Sequence, residues 1–151
     1  MRLSIYLTLA CSVFAFSQTP EPTLRELADA NGVALGAAVW TNHLDISEHR
    51  QTLAQEFNML TPEHEAKMCM VQKQRGVFDF RATDELVAFA EANQMTVRGH
   101  TLVWHACTPD WIESGNFSRD ELIAIMRDHI YTVVGRYKGR IPVWDVVNEA
   151  I

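Results

Sequence analysis

The alternation of short apolar segments with helical segments is the feature that most restricts how this chain can fold. The short apolar runs are residues 33–40, 57–61, 96–104 and 143–148. The amphipathic helical patterns between them are residues 45–57, residues 83–94 and a segment that begins at Ser118. Strands that alternate with helices form parallel sheets with right-handed crossovers. The sequence therefore predicts an α/β fold, either a doubly wound sheet or a (β/α) barrel.

Polar and aromatic side chains follow three of the four predicted strands. These residues are Glu63, His64, Lys67, His100, Trp104, His105, Asn148 and Glu149. In a barrel, the carboxyl ends of all strands ring one mouth, where active sites form, whereas in an open sheet only the strands beside the switch point share a site. No glycine-rich phosphate loop follows the first predicted strand. This distribution favours the barrel over a nucleotide-binding sheet.

The charge and histidine patterns argue against two classes of function. The 19 Asp and Glu residues outnumber the 13 Lys and Arg residues, and no basic run is present, so we expect no nucleic-acid partner. His100 and His105 are five positions apart and would face opposite sides of an extended segment. The sequence also has no HExxH motif and no cysteine pair at metal-ligand spacing. We therefore expect neither a metal nor another cofactor.

Residues 1–17 have the pattern of a secretory signal peptide. Arg2 precedes an apolar run over residues 3–16, and the small residues Ala15 and Ser17 suit a cleavage site. A membrane anchor is the weaker alternative, because a spanning helix needs about 20 apolar residues. We expect a secreted protein, extracellular or periplasmic, with no membrane association after signal removal and one domain over residues 18–151.

Three ordered motifs give the chain a family resemblance. "FNMLTPEHEAK", "VRGHTLVWH" followed by "TPDW", and "VWDVVNEA" resemble segments of the glycoside hydrolase family 10 endo-1,4-β-xylanases. The resemblance implies a (β/α)8 TIM barrel, of which this chain matches the first four βα units. It also implies endo-acting hydrolysis of β-1,4-xylosidic bonds in xylan by a retaining mechanism. We therefore expect the N-terminal half of a catalytic barrel, inactive alone, with the nucleophile on a later strand.

The resemblance also implies roles for residues near the expected point of cleavage. Glu149 matches the acid/base carboxylate, which must hold a proton for a poor leaving group. Asn148 matches the amide that binds the sugar 2-hydroxyl. Both can serve one site only if the strand twists or bulges as it ends. His100 and Trp104 match residues that surround the sugar and would face one side of a continuous strand. His105 either lies in the site itself or hydrogen-bonds a residue of the site.

The residues after the second strand match a neighbouring part of the family's substrate site. Glu63 and Lys67 correspond to residues that hydrogen-bond sugar hydroxyls, although a charge pair at the start of a helix is an alternative interpretation. His64 stands where the family usually has Asn, Met68 replaces a common Trp, and Cys107 replaces a common Gln. These departures leave the exact substrate preference open.

Cys69 and Cys107 are the two cysteines that remain after removal of residues 1–17. They follow the second and third strands, in loops that would be neighbours at a barrel mouth, and export permits a disulfide. We expect this bond, with two free thiols packed as small apolar residues as the alternative.

Two other classes of function stay open from the sequence. The chain could belong to a carbohydrate-binding protein without catalysis, or it could be a fragment that does not fold alone because its strands leave open sheet edges. The partner expected for a xylanase, or for a carbohydrate-binding protein, is xylan or a xylo-oligosaccharide.

Overall fold

A computed structural model describes residues 21–150, so the predicted signal peptide lies outside the described residues. The α-helices are α1 (Leu24–Ala30), α2 (Ser47–Glu56), α3 (Met68–Val71), α4 (Arg81–Ala92), α5 (Asp110–Glu113) and α6 (Arg119–Arg136). The strands are β1 (Gly36–Val39), β2 (Met59–Pro62), β3 (Thr96–Gly99), β4 (Val103–Trp104), β5 (Val143–Trp144) and β6 (Val147–Asn148). Two short 3-10 helices span Thr41–Asp45 and His105–Cys107.

The strands form a parallel sheet in the order β1-β2-β3-β5, and β4 and β6 form a separate parallel pair. Because all four strands of the larger sheet run the same way, their carboxyl ends lie along one edge. The predicted alternation of strands and helices is confirmed. The residues that were expected to share a site lie at or beyond the carboxyl ends of these strands.

Side-chain capping boxes begin two of the helices. Thr23 and Glu26 form a capping box at α1, and Ser118 and Glu121 form another at α6. Gly32, two residues after the end of α1, has φ of 64°, a conformation that glycine adopts without strain.

The third and fourth apolar runs are not continuous strands, so that part of the prediction is wrong. The third run divides into β3 and β4, and the fourth divides into β5 and β6. In each case the first piece joins the larger sheet and the second joins the separate pair. The break after Gly99 removes the basis for placing His100 and Trp104 on one face by counting residues along a single strand.

The hydrophobic core lies between the sheet and the helices α4 and α6. Fully buried residues from both layers contact one another there: Val39, Leu60, Val97, Leu86, Val87, Ala90, Val133 and Tyr137. Burial of these side chains fixes the sheet against the helices and so positions the edge where the strands end.

Within residues 21–150, no helix combines the length and apolar character that crossing a membrane requires.

The 151-residue chain by itself should self-associate. Within the described residues, β1 and β5 each pair on one side only, and Val143 on β5 is 46% exposed. Exposed sheet edges with apolar side chains template further pairing. We expect oligomers or aggregates in size-exclusion chromatography with light scattering, and Val143→Lys should reduce them. A wild-type monomer with a sharp cooperative melt would contradict this expectation.

His129 should make stability fall in mildly acidic solution. Its side chain is fully buried against Gln72, and burial lowers the pKa of His129 from 6.5 to about 4. The unfolded chain therefore binds a proton between these pH values that the folded chain does not, so stability present above pH 6.5 is lost as the pH falls towards 4. The loss should be roughly 3 kcal/mol, at 1.36 kcal/mol per pKa unit.

Urea denaturation of the whole protein at several pH values measures this dependence. His129→Gln should flatten the slope between pH 6.5 and 4, whatever its absolute stability. His49→Gln, at an exposed position, serves as the control and should keep the wild-type slope. Equal slopes for the wild type and His129→Gln would exclude His129 as the cause.

Candidate active site

Trp104, Asn148 and Glu149 meet where β4 and β6 end. The register of this strand pair places Trp104 opposite Asn148, so their side chains share one face. The Trp104 indole Nε1 donates a hydrogen bond of 2.7 Å to Glu149 Oε2. The indole thus holds the carboxylate beside the amide of Asn148.

A turn in the backbone explains how neighbouring residues serve the same site. Glu149 has φ of 52°, in the left-handed region that residues with a Cβ rarely adopt, at a cost on the order of 1 kcal/mol. This turn ends the extended conformation directly after Asn148. The Glu149 side chain therefore returns towards Trp104 instead of pointing to the opposite face.

A cleft of about 380 Å³ opens at this point. Trp104, His105, Asn148 and Glu149 line it, which brings four of the eight residues expected from the sequence into one cavity. Glu149 and His105 are exposed, and Trp104 and Asn148 are half-buried. The cleft offers an acidic oxygen, an amide, an imidazole and an aromatic ring to one ligand.

Lys67 connects the segment after β2 to this cleft. Its side chain is buried, and Nζ lies 4.5 Å from the centroid of the Trp104 ring, a cation–π contact. Residues 63–67 are not helical, and among residues 21–150 Lys67 takes part in no ion pair, so the alternative of a helix-start pair with Glu63 is not seen. The ammonium group keeps donors for a ligand.

Glu63 and His64 directly follow β2, in the same segment as Lys67. The Glu63 backbone N–H donates to the Val39 carbonyl at 3.1 Å, so the end of β2 is bound to the end of β1. The Glu63 side chain is exposed, and the His64 ring stacks on Trp40 with the ring centroids 5.6 Å apart.

His100 is held by a residue that the sequence analysis did not identify. Asp145, between β5 and β6, accepts a hydrogen bond of 2.6 Å from Arg98 Nη2 and lies 3.0 Å from His100 Nδ1. Hydrogen bonds from Arg98 and then His100 lower the pKa of the Asp145 carboxyl, so it stays ionised. This contact occupies Nδ1 and leaves His100 Nε2 for a ligand.

The Asp145 backbone also holds the segment after β3. Its carbonyl accepts hydrogen bonds from Thr101 Oγ1 at 2.9 Å and from the Leu102 N–H at 3.1 Å, and its N–H donates to the Gly99 carbonyl at 2.9 Å. The Trp144 ring covers Gly99 so closely that a Cβ there would collide with it. A charged residue inside the apolar run "VWDVV" was the available sequence signal for Asp145.

Cys69 and Cys107 are paired in the structure, with their Cα atoms 5.2 Å apart. Cys69 lies in α3, two residues after Lys67, and Cys107 ends the 3-10 helix that follows Trp104. The pair therefore links the two segments that supply Lys67 and Trp104.

Among the described residues, no group of three or more His, Cys, Asp or Glu side chains is arranged to hold a metal ion.

Comparison with known proteins places this chain in a family. The model of the family described as "Glycosyl hydrolase family 10" matches residues 23–151. A β-1,4-xylanase of Dictyoglomus thermophilum is 45% identical over 130 residues, which cover 86% of this chain and 36% of that protein. Endo-1,4-β-xylanase B of Thermotoga neapolitana is 36% identical, covering 98% of this chain and 43% of that protein.

Solved structures agree with these relatives. Xylanase 10B of Thermotoga petrophila RKU-1, in complex with xylobiose, has a TM-score of 0.84 and 39% identity over 89% of this chain and 42% of that one. Native xylanase 10B of Thermotoga maritima has a TM-score of 0.82 and 41% identity over 85% of this chain and 41% of that one. The chain thus spans less than half the length of these relatives, and the expectation that it forms part of a TIM barrel is confirmed.

The Cys69–Cys107 pairing predicts that neither of these two cysteines has a free thiol in the oxidised protein. Thiol titration of the denatured, non-reduced protein measures this, and a linked peptide pair in the digest would identify the bond. Because the bond would close a loop with a sequence separation of 38, Cys107→Ser should lower stability by up to about 3–4 kcal/mol. Cys69→Ser is the matched control. It should lower stability as much as the double variant Cys69→Ser with Cys107→Ser does. Labelling of free thiols at both Cys69 and Cys107 would rule the bond out.

Proposed function

Because this chain belongs to glycosyl hydrolase family 10, we propose that the whole protein is a secreted endo-1,4-β-xylanase that cuts within xylan by a retaining, double-displacement mechanism. The observation that carries the proposal is the Trp104–Glu149 hydrogen bond, which fixes a carboxylate beside Asn148 in an open cleft at the strand ends. Secretion rests on the pattern of residues 1–17.

In this proposal Glu149 is the acid/base residue. It protonates the glycosidic oxygen as the bond breaks, and in the second step it accepts a proton from the water that attacks the glycosyl-enzyme. The Trp104 indole N–H limits where the carboxylate can move, which favours a productive geometry. The mechanism needs a second carboxylate as nucleophile, about 5–5.5 Å from the first. Asp145 is engaged by Arg98 and His100, so we assign the nucleophile to a later strand of the barrel.

The neighbouring side chains are proposed to bind the sugars. The Asn148 amide suits the 2-hydroxyl of the ring being cleaved, where a hydrogen bond can strengthen as charge develops. His100 Nε2, His105 and Lys67 Nζ supply further polar groups, and Glu63 supplies an exposed acceptor. Sugar hydroxyls both donate and accept, so a mixture of donors and acceptors around a Trp ring suits this ligand. One solved relative is described in complex with xylobiose.

Glu149→Gln tests the acid role in the whole protein. The amide cannot donate a catalytic proton, so turnover of xylan should fall by about 10²–10⁴-fold. Turnover of an aryl xylobioside with a good leaving group should fall much less, because that leaving group needs little protonation. Steady-state kinetics on both substrates measure the difference, and binding of xylo-oligosaccharides should be retained.

Glu113→Gln is the matched control, since Glu113 is an exposed carboxylate on α5. It should keep wild-type rates on both substrates. Equal losses on both substrates for Glu149→Gln would refute the acid role, and a wild-type protein without activity on xylan would refute the proposed function.

A further inference from the structure

Trp40 presents an aromatic ring at the same edge of the sheet, outside the cleft around Glu149. It directly follows β1, and it is 41% exposed. The ring stacks on His64, with an angle of 20° between the two planes, and on His43, with centroids 6.3 Å apart and an angle of 23°. This partly exposed indole, stacked with two imidazoles, lies where the strands end and outside the hydrophobic core cluster, so its exposed surface can contact a ligand.

Glu65 holds the Trp40–His64 pair in place. Its side chain is buried, and Oε1 accepts hydrogen bonds from the Thr41 N–H at 2.7 Å and from Thr41 Oγ1 at 3.2 Å. Oε2 accepts a hydrogen bond of 3.2 Å from the His64 N–H. One buried carboxylate thus ties the residue after Trp40 to His64, so Glu65 is a positioning residue for the two rings.

The pair lies at the same edge of the sheet as the proposed cleavage site. Lys67 lies over Trp104, which contacts Glu149, and His64 precedes Lys67 by three residues. In the sheet order, β1 is three positions from β5, or roughly 14 Å at about 4.8 Å per strand. A ligand that extends from Glu149 across β2 would reach Trp40 with a part distant from the reacting bond.

We propose that Trp40 and His64 form an aromatic platform for a distal pyranose ring of the xylan chain, beyond the sugar that Glu149 acts on. This inference rests on the proposed function. The C–H groups on one face of a pyranose make an apolar surface that packs against an aromatic ring, while its hydroxyls remain free for water or for Glu63. The platform takes a sugar ring at a position where the family resemblance implies an Asn in place of His64, so it is a feature of this chain.

The test compares xylo-oligosaccharides of increasing length, from xylobiose to xylohexaose, binding to the whole protein. Glu149→Gln provides a background that does not consume the ligand, and titration calorimetry measures the dissociation constant. Trp40→Ala should weaken binding of xylohexaose by roughly 3- to 10-fold, with a smaller loss as the ligand shortens. His64→Asn should give a weaker loss with the same dependence on length.

A fluorescence readout covers the case in which Trp40→Ala fails to fold. Trp40→Phe retains a ring, and the part of the ligand-induced emission change that disappears in this variant reports contact at Trp40. That part should appear with xylohexaose and be absent with xylobiose. Tyr131→Ala on α6, where Tyr131 is 73% exposed, is the matched control and should bind every ligand as the background protein does.

Losses that are equal at every ligand length, or no loss for Trp40→Ala together with no emission change at Trp40, would overturn the platform. Kinetics with Glu149 intact separate this outcome from failure of the proposed function. A protein that cleaves xylan without a length-dependent effect of Trp40 retains its function and loses the platform. A protein that shows the length-dependent binding but cannot cleave xylan retains the platform and loses the proposed activity.

Discussion

The hydrogen bonds of Asp145 are the interaction on which the geometry of the site depends. Its carboxylate binds Arg98 and His100, and its backbone binds Gly99, Thr101 and Leu102. These contacts fasten the end of β3 to the end of β5 at the point where both strands leave the main sheet. Together with the pairing of β3 with β5 and of β4 with β6, they fix His100 relative to the segment that carries Glu149.

Departure of the chain from the main sheet brings the reactive groups together. A continuous strand alternates its side chains between two faces, so Asn148 and Glu149 would diverge. The breaks allow β4 and β6 to pair separately, with Trp104 beside Asn148, and the turn at Glu149 returns its carboxylate to the indole. The site is therefore built from irregular backbone at the rim of a regular sheet, where changes in direction do not disturb the core.

Local patterns predicted the regular part of this structure well. The capping boxes at Thr23 and Ser118 depend only on residues three apart, and the helix α4 follows from apolar spacing, so both could be read directly. The expectation that the site lies at the strand ends followed from the alternation of strands and helices, and it stays a prediction. The family motifs supplied the roles of individual residues, which remain predictions for Glu149 and its neighbours.

The missed features depend on contacts between distant parts of the chain. Asp145 and Glu65 act through partners on other elements, and no spacing rule connects Glu65 to Thr41 or Asp145 to Arg98. The close approach of the Trp144 ring to Gly99 also joins residues that are distant in the sequence. Sequence patterns report periodicity along one element, and these residues respond to neighbours that only the tertiary fold provides.

Adjacent segments at the edge of the sheet are joined in pairs, each by a different kind of contact. Glu65 joins the segments after β1 and β2, the Cys69–Cys107 pair joins those after β2 and β4, and the Trp104–Glu149 hydrogen bond joins β4 to β6. A polymeric ligand must meet several groups at fixed spacing, and each group held before binding loses less conformational entropy when the ligand arrives. Because each link joins neighbouring segments only, a change in one link should alter the spacing of two segments and leave the rest of the edge in place.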